Sequence, residues 1–150
     1  MRAYLNSTIY AKENIDYSTT GIYSSLPEVL RNAIINTTVV SGHGSVDTTN
    51  YTTTDKLYLL SRREVWNYTG SYDTAQGQTR QLDYYASLGV TESDYSGAIK
   101  QYNSSNNYWW WLRSAYSSST YDFYYVNYDG LWVVSSANGT DGVAPAFRIA

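Results

Sequence analysis

An α+β fold is predicted by the order of helix and strand patterns along the chain. Two helix-start patterns lie in the first half, whereas four β-prone runs follow Lys100. The pairs Asp129-Gly130 and Asn138-Gly139 separate the later runs and are typical of hairpin-like connections. The chain has 150 residues and no cysteine, so packing alone must stabilise its core. We therefore expect one α+β domain over residues 1–150, with short helices packed on a mainly antiparallel sheet.

Two Ser-x-x-Glu patterns predict the main helices. The first, at 25–28, has Pro27 in its first turn and precedes apolar residues on one helical face. It predicts a helix from about Ser25 to Ile35. The second, at 61–64, directly follows the apolar run 56–60. We expect a short buried strand that leads into a short helix at this point.

The remaining segments show other patterns. Amphipathic stretches cover Met1 to Tyr10 and Thr79 to Leu88, and Gly89 is expected to end the second. Asn36 to Thr54 is rich in Thr, Ser and Gly, which predicts an irregular or β-like loop. Strands are predicted at the β-prone runs 109–112, 123–126, 131–134 and 143–149.

Charge and hydropathy exclude several classes of function. Ten basic and thirteen acidic residues give a net charge of −3, so the basic surface expected of a nucleic-acid-binding protein is missing. No apolar run is long enough to span a membrane, so we expect no membrane insertion. Met1 to Tyr10 lacks the charged and then apolar profile of a secretory signal.

Tyrosine dominates the region from about 102 to 137, together with Ser, Asn, Asp and Trp. Tyrosine gives a large and fairly rigid contact area at low entropic cost, while Ser and Asn adapt their hydrogen bonds. Eighteen tyrosines are too many to bury in one small domain, which predicts an exposed aromatic patch and an interaction site. The predicted contact residues are Tyr116, Ser118, Ser119, Tyr121, Asp122, Tyr124, Tyr128 and Trp132, followed by Asn106 and Tyr108.

Five motifs carry a resemblance to a known group. They are RAYLN (2–6), DKLYLLS (55–61), WWLRS (110–114), VNYDG (126–130) and GVAPAF (142–147). In this order they resemble a bacterial, archaeal and phage family of domains with the C-type-lectin-like fold. A Tyr-, Ser- and Asn-rich stretch between WWLRS and a closing strand is similar to the variable proteins of diversity-generating retroelements. The resemblance implies a ligand-binding surface that is diversified by adenine-directed mutagenesis on a constant scaffold.

Two features depart from that family. Ala144 stands where the closing motif more usually has Arg, and the strands that normally precede RAYLN are missing. The chain is therefore either a reduced domain or a piece of a larger protein. The alternative function is a cell-surface or virion adhesin domain of the same fold that is not diversified.

Residue usage agrees with diversification. Randomising the adenines of an AAC-type codon cannot produce Lys, Glu, Gln, Met or Trp, and every residue from Tyr116 to Leu131 belongs to the permitted set. Trp132 lies outside that set and is equally compatible with a constant structural role. A β-rich aromatic half would also be poor in Lys and Glu without any diversification.

The constant scaffold is expected to include a tryptophan of the 109–111 run. In a strand the middle ring points to the face opposite its neighbours, so at least one of the three is a core residue. Trp110 also matches the family motif. Arg113 and Arg148 are expected to stack on aromatic rings or pair with an acid. The resemblance implies structural roles for Trp110, Leu112, Arg113, Pro145 and Phe147.

Enzymatic chemistry is not expected. The absence of cysteine removes the thiol used by the copper-dependent oxidases of this fold class. His43 is the sole histidine and lies in the Gly- and Ser-rich loop 41–45, where a solvated side chain is expected. The turn 138–142 has too few carboxylates for a strong calcium site, so no metal or cofactor is expected. The expected partner is an unidentified protein or carbohydrate on a host or target cell surface, and the expected location is the virion or cell surface.

Overall fold

A computed structural model describes Leu5, residues 9–10, residues 15–16 and residues 21–150. The architecture is α+β, with short helices and mostly small antiparallel sheets in place of the one main sheet that was expected. The chain divides into two compact units. The first contains the described residues up to Val39 together with 53–58 and 145–150, and the second contains 40–52 and 59–144.

Among the described residues, two short sheets lie wholly within the first unit. Strands β1 (Ile9–Tyr10) and β2 (Ile15–Asp16) pair antiparallel. Strand β3 (Ile34–Ile35) pairs antiparallel with β13 (Arg148–Ile149). The predicted helix over Met1 to Tyr10 lies outside the described residues except at Leu5, which is helical and buried, and at β1.

The first predicted capping box does not form. A short helix α1 (Ile22–Ser25) comes first, and the helix predicted from about Ser25 to Ile35 is present as the shorter α2 (Glu28–Ala33). Ser25 ends α1, and its hydroxyl donates a hydrogen bond to the Gly21 carbonyl at 3.1 Å. Pro27 is extended, with φ −54° and ψ 142°, and it precedes α2 without a side-chain cap. The extended Leu26 and Pro27 interrupt the helix that the apolar spacing predicted.

Strands β4 (Thr37–Ser41) and β5 (Tyr51–Asp55) form a two-stranded sheet in the segment where an irregular or β-like loop was expected. The predicted buried strand at 56–60 is present as the shorter β6 (Tyr58–Leu59). The predicted closing strand at 143–149 is present as β12 (Pro145–Ala146) and β13, which are separated by Phe147.

The second predicted capping box is confirmed. Helix α3 (Arg62–Trp66) begins after Ser61, whose hydroxyl accepts a hydrogen bond from the Glu64 backbone N–H, while the Glu64 carboxylate accepts one from the Ser61 N–H at 2.7 Å. Helix α4 (Asp83–Ser87) falls within the predicted stretch 79–88. Gly89 follows it with a φ of +70°, in agreement with the expected stop.

The second unit also contains the largest sheet, in the order β11-β10-β9. Its strands are β9 (Trp110–Ala115), β10 (Asp122–Val126) and β11 (Trp132–Ser136), and both pairings are antiparallel. All three were predicted within a few residues. The turn at Asp129-Gly130 joins β10 and β11 as expected, whereas the turn at Asn138-Gly139 makes no hairpin, because β12 does not belong to this sheet.

Strand β9 contributes to the core of this unit along its whole length, since every one of its residues is buried. Trp110 and Trp111 are both buried, whereas Trp109, just before the strand, is exposed. The expectation that Trp110 is a core residue is therefore confirmed. Because the strand is buried on both faces, its sequence does not alternate between apolar and polar residues. It is apolar except at Arg113 and Ser114.

Candidate ligand-binding site

A polar hairpin projects next to strand β9. Strands β7 (Lys100–Asn103) and β8 (Asn106–Tyr108) pair antiparallel. The Asn103 side-chain oxygen accepts hydrogen bonds from the backbone N–H groups of Ser105 and Asn106, both at 3.0 Å, and this closes the turn. Residues 101–109 are all exposed. The sequence pattern did not predict this hairpin, because its Asn, Ser and Gln residues have low strand propensity.

Three aromatic side chains form a row along this hairpin. The ring centroids of Tyr102 and Tyr108 are 5.7 Å apart, and those of Tyr108 and Trp109 are 5.3 Å apart. The Trp109 indole N–H donates a hydrogen bond to the Asn127 side-chain oxygen at 2.6 Å. Trp109 is 38% exposed. Because the hydrogen bond fixes one edge of the indole, the exposed part of the ring has a defined orientation.

Gly142 supports the entry to strand β9. Its N–H donates to the Trp109 carbonyl at 3.0 Å, and its carbonyl accepts from the Trp111 N–H at 2.9 Å. A Cβ at this position would lie 2.7 Å from the Trp109 carbonyl oxygen. Close backbone approach therefore requires glycine here, and it fixes the backbone that carries the exposed indole.

A tight turn presents the fourth aromatic ring, that of Tyr128. The Asn127 N–H donates to the Leu131 carbonyl at 2.7 Å, and the Gly130 N–H donates to the Asn127 carbonyl at 2.9 Å. Gly130 has a φ of +92°, a conformation that side chains with a Cβ rarely adopt. Tyr128 lies in this turn and is 55% exposed.

These elements line an open cleft with a volume of about 450 Å³. Among the described residues, the lining has aromatic rings, side-chain amides and a hydroxyl, but no Lys, Arg, Asp or Glu. Ligand sites commonly combine apolar rings with a few polar groups in a cavity of this size. We call it the hairpin cleft, and its lining residues are Ser105, Asn106, Asn107, Tyr108, Trp109 and Tyr128.

Three of the predicted contact residues, Asn106, Tyr108 and Tyr128, line the hairpin cleft. Trp109, Ser105 and Asn107 were not among the predicted contacts. The Tyr- and Asn-rich composition from residue 102 onward includes these three positions and is the sequence signal that could have identified them. Asn106 and Tyr108 were predicted as secondary contact residues, and both line the cleft. Of the primary predicted contacts, only Tyr128 lines it.

Five other predicted contacts lie in or next to the segment between β9 and β10. Ser118 and Tyr121 are exposed there. Ser119 is half-buried, and its hydroxyl accepts hydrogen bonds from the N–H groups of Tyr121 and Asp122 at 3.3 and 3.2 Å. Tyr116 is also half-buried, with its ring 5.6 Å from that of Tyr72. This segment therefore carries exposed positions of its own but is not part of the hairpin cleft.

The prediction that Tyr124 contacts a ligand is wrong. Tyr124 is only 1% exposed, because the alternation of β10 puts it on the same inward face as the buried Val126. Burial raises the pKa of its phenol to about 12. The sequence signal that could have revealed this is the two-residue spacing between Tyr124 and Val126.

Trp132, another predicted contact, is half-buried and packs on a buried arginine. The Arg62 guanidinium lies 3.4 Å from the Trp132 ring centroid, 3.1 Å from that of Tyr68 and 4.6 Å from that of Tyr124. Burial lowers the pKa of Arg62, although the phenols of Tyr124 and Tyr68 oppose this shift. Trp132 therefore follows its alternative interpretation as a structural residue. We call this group the Arg62 stack.

Most residues of the predicted scaffold are buried. Leu112 packs in the core, and Arg113 donates to the Val40 and Leu59 carbonyls at 3.0 and 2.7 Å. Arg113 also pairs with Glu64, as expected for an arginine that locks the sheet against an acid. Pro145 is half-buried. Phe147 lies between β12 and β13 and is 38% exposed.

His43 is half-buried, although it was expected to be solvated. Its Nδ1 lies 2.7 Å from the Gly44 carbonyl oxygen, and its backbone N–H donates to the Thr74 hydroxyl at 2.7 Å. Across the described part of the chain, no group of three or more His, Cys, Asp or Glu is arranged to hold a metal ion. No described helix has the length and apolar character needed to cross a bilayer.

The fold and the hairpin cleft together define an α+β domain that presents aromatic rings and amides to solvent. The chain belongs to the family described as a domain of unknown function (DUF6273), whose sequence profile matches residues 1–150. No curated protein matches the chain, and neither does any solved structure.

Proposed function

We propose that this protein is a ligand-recognition domain with the C-type-lectin-like fold, and that adenine-directed mutagenesis diversifies its binding surface on a constant scaffold. The observation that carries the proposal is the hairpin cleft. Its lining side chains come from an exposed hairpin and a surface turn, so they can change without removing a core residue.

The buried part of the second unit supports the division into scaffold and surface. Strand β9 is buried along its whole length, and the Arg113–Glu64 pair links it to helix α3. The capping box of that helix uses the same Glu64 carboxylate. These interactions stabilise the strand that begins directly after Trp109, so the backbone next to this ring is held in place.

A fixed adhesin domain of the same fold is the second candidate. It is favoured by the uneven burial of the Tyr-rich region, because Tyr124 and Val126 are core residues within it and Gly130 has a positive φ. Random change at these positions would damage folding in many copies. The same surface would then bind its ligand with one constant sequence.

The gene distinguishes the two candidates. Diversification requires a near-identical template repeat nearby, with differences confined to template adenines and concentrated in codons for exposed positions such as Asn106, Tyr108 and Tyr128. Sequencing the locus and its neighbourhood in several isolates measures this directly. A locus without any template repeat would overturn the first proposal and leave the adhesin.

A further inference from the structure

We propose that the hairpin cleft binds a neutral carbohydrate through stacking on aromatic rings and hydrogen bonds to amides, without a metal ion. This inference rests on the proposed ligand-recognition function and adds the chemical class of the ligand.

The rings provide apolar platforms. Trp109 and Tyr108 lie 5.3 Å apart between centroids with an interplanar angle of 51°, and Tyr128 is on the same cleft. A pyranose ring presents a face of C–H groups that can lie flat on an indole or phenol ring. The hydrogen bond between the Trp109 indole N–H and Asn127 holds the indole in place before any ligand arrives, which lowers the entropy cost of binding.

The polar atoms match sugar hydroxyls. Asn106 and Asn107 each offer an amide oxygen as acceptor and an amide nitrogen as donor, and Ser105 adds a hydroxyl. A sugar hydroxyl both donates and accepts, so neighbouring hydroxyls fit an amide that does the same. Amides and hydroxyls that are in water in the free protein also pay little additional desolvation when a hydroxyl replaces water.

The absence of charge in the lining argues for a neutral ligand. In the part of the chain that the structure describes, no Arg or Lys lines the cleft to pair with a carboxylate, sulfate or phosphate. Lys100 is on the same hairpin, but it is half-buried and its ammonium lies 5.0 Å from the centroid of the Trp110 ring. The Asp129 carboxylate, next to Tyr128 in sequence, accepts a hydrogen bond from the Leu131 N–H at 3.0 Å.

The size of the cleft favours a carbohydrate over a folded protein. A volume of about 450 Å³ is in the range of small-molecule sites and is suited to one or two sugar units. A stable protein interface needs about 800 Å² from each partner, spread over some twenty residues. The six described residues that line the cleft are far fewer than such an interface needs, which favours a small ligand.

The experiment measures retention of the purified protein on a panel of immobilised neutral oligosaccharides containing hexoses and N-acetylhexosamines, with sialylated and sulfated oligosaccharides as the charged arm. We expect millimolar to micromolar binding to at least one neutral member, unchanged by a metal chelator. Tyr128→Ala and Asn107→Ala should each weaken it by about tenfold or more, because each removes a central contact. Trp109→Ala should abolish it, with circular dichroism confirming that the variant is folded.

Tyr84→Ala is the matched control, since Tyr84 is an exposed tyrosine on helix α4 outside the cleft, and its substitution should leave binding unchanged. Three results would overturn the inference: no retention on any neutral member, retention only on charged members, or binding that Tyr128→Ala and Asn107→Ala leave intact. If a protein ligand is found instead and Tyr128→Ala abolishes its binding, the carbohydrate assignment fails while ligand recognition stands. A missing template repeat, by contrast, removes diversification without affecting the carbohydrate result.

Discussion

Tyr121 and Tyr124 lie three positions apart in the Tyr-rich region yet have opposite environments, with 62% and 1% exposure. Tyr124→Ser should lower the free energy of unfolding by about 3–5 kcal/mol, because it removes one ring of the Arg62 stack and leaves a cavity there. Tyr121→Ser should change it by no more than about 0.5 kcal/mol. Urea denaturation of both variants measures the difference, and equal effects would contradict the assignment of Tyr124 to the core.

The buried phenol of Tyr124 also makes stability depend on alkaline pH. Its pKa in the folded protein is raised from 10.0 to about 12, so the unfolded chain loses this proton first as the pH rises. The stabilising contribution is therefore complete below about pH 10 and is lost as the pH rises through about 12. Tyr124→Phe should show a shallower fall in the free energy of unfolding across this interval. An unchanged fall would show that the pKa of Tyr124 is not raised in the folded protein.

The Arg113–Glu64 ion pair is buried, so removing one partner should affect stability more than removing both. Arg113→Leu should destabilise the protein by about 3–5 kcal/mol, since it leaves the Glu64 carboxylate without its cation. Adding Glu64→Gln should recover part of that loss, because an amide oxygen is neutral and still accepts from the Ser61 N–H. A double-mutant cycle measures the coupling, and additive effects would argue against a direct interaction.

At the scale of elements, the two Ser-x-x-Glu patterns show what local sequence can and cannot predict. Both look like capping boxes, but only the one at 61–64 forms. There Glu64 also forms an ion pair with Arg113 of strand β9. The two residues are far apart in sequence, so no local pattern predicts this contact. Ser25 instead ends α1. The strands of the main sheet were predictable because they are apolar, whereas the hairpin of β7 and β8 was not, because its turn is closed by the Asn103 side chain.

The turn between β10 and β11 gives a test that separates backbone strain from steric overlap. Gly130 and Gly77 both have positive φ, at +92° and +85°, but a Cβ at Gly130 would overlap the Tyr95 carbonyl oxygen while a Cβ at Gly77 would meet open space. Gly77→Ala should cost about 1–2 kcal/mol from conformation alone. Gly130→Ala should cost more and displace Tyr128. Thermal unfolding of the two variants compares them, and equal costs would mean that the turn moves freely away from Tyr95.

At the scale of the whole molecule, the sequence indicated the α+β class and the region that contains the cleft, but not which tyrosines face solvent. Composition is averaged over a segment, whereas exposure alternates residue by residue along a strand. Tyr128 is exposed because it lies in a turn, and Tyr124 is buried because it lies in a central strand. The Tyr-rich region is therefore a mixture of surface and core.

This mixture predicts where the protein tolerates change. One library that randomises Tyr102, Asn107 and Tyr128 should remain mostly folded, because surface substitutions usually shift stability by about 0.5 kcal/mol or less. A second library randomises Tyr124, Val126 and Trp132, which lie in the same region of the sequence. Its members should be mostly unfolded, because substitutions that remove buried packing cost about 2–5 kcal/mol each. Display of both libraries, followed by protease selection, measures the folded fraction of each. Similar survival would mean that exposure does not govern tolerance in this domain, and a diversified surface would then need no separate scaffold.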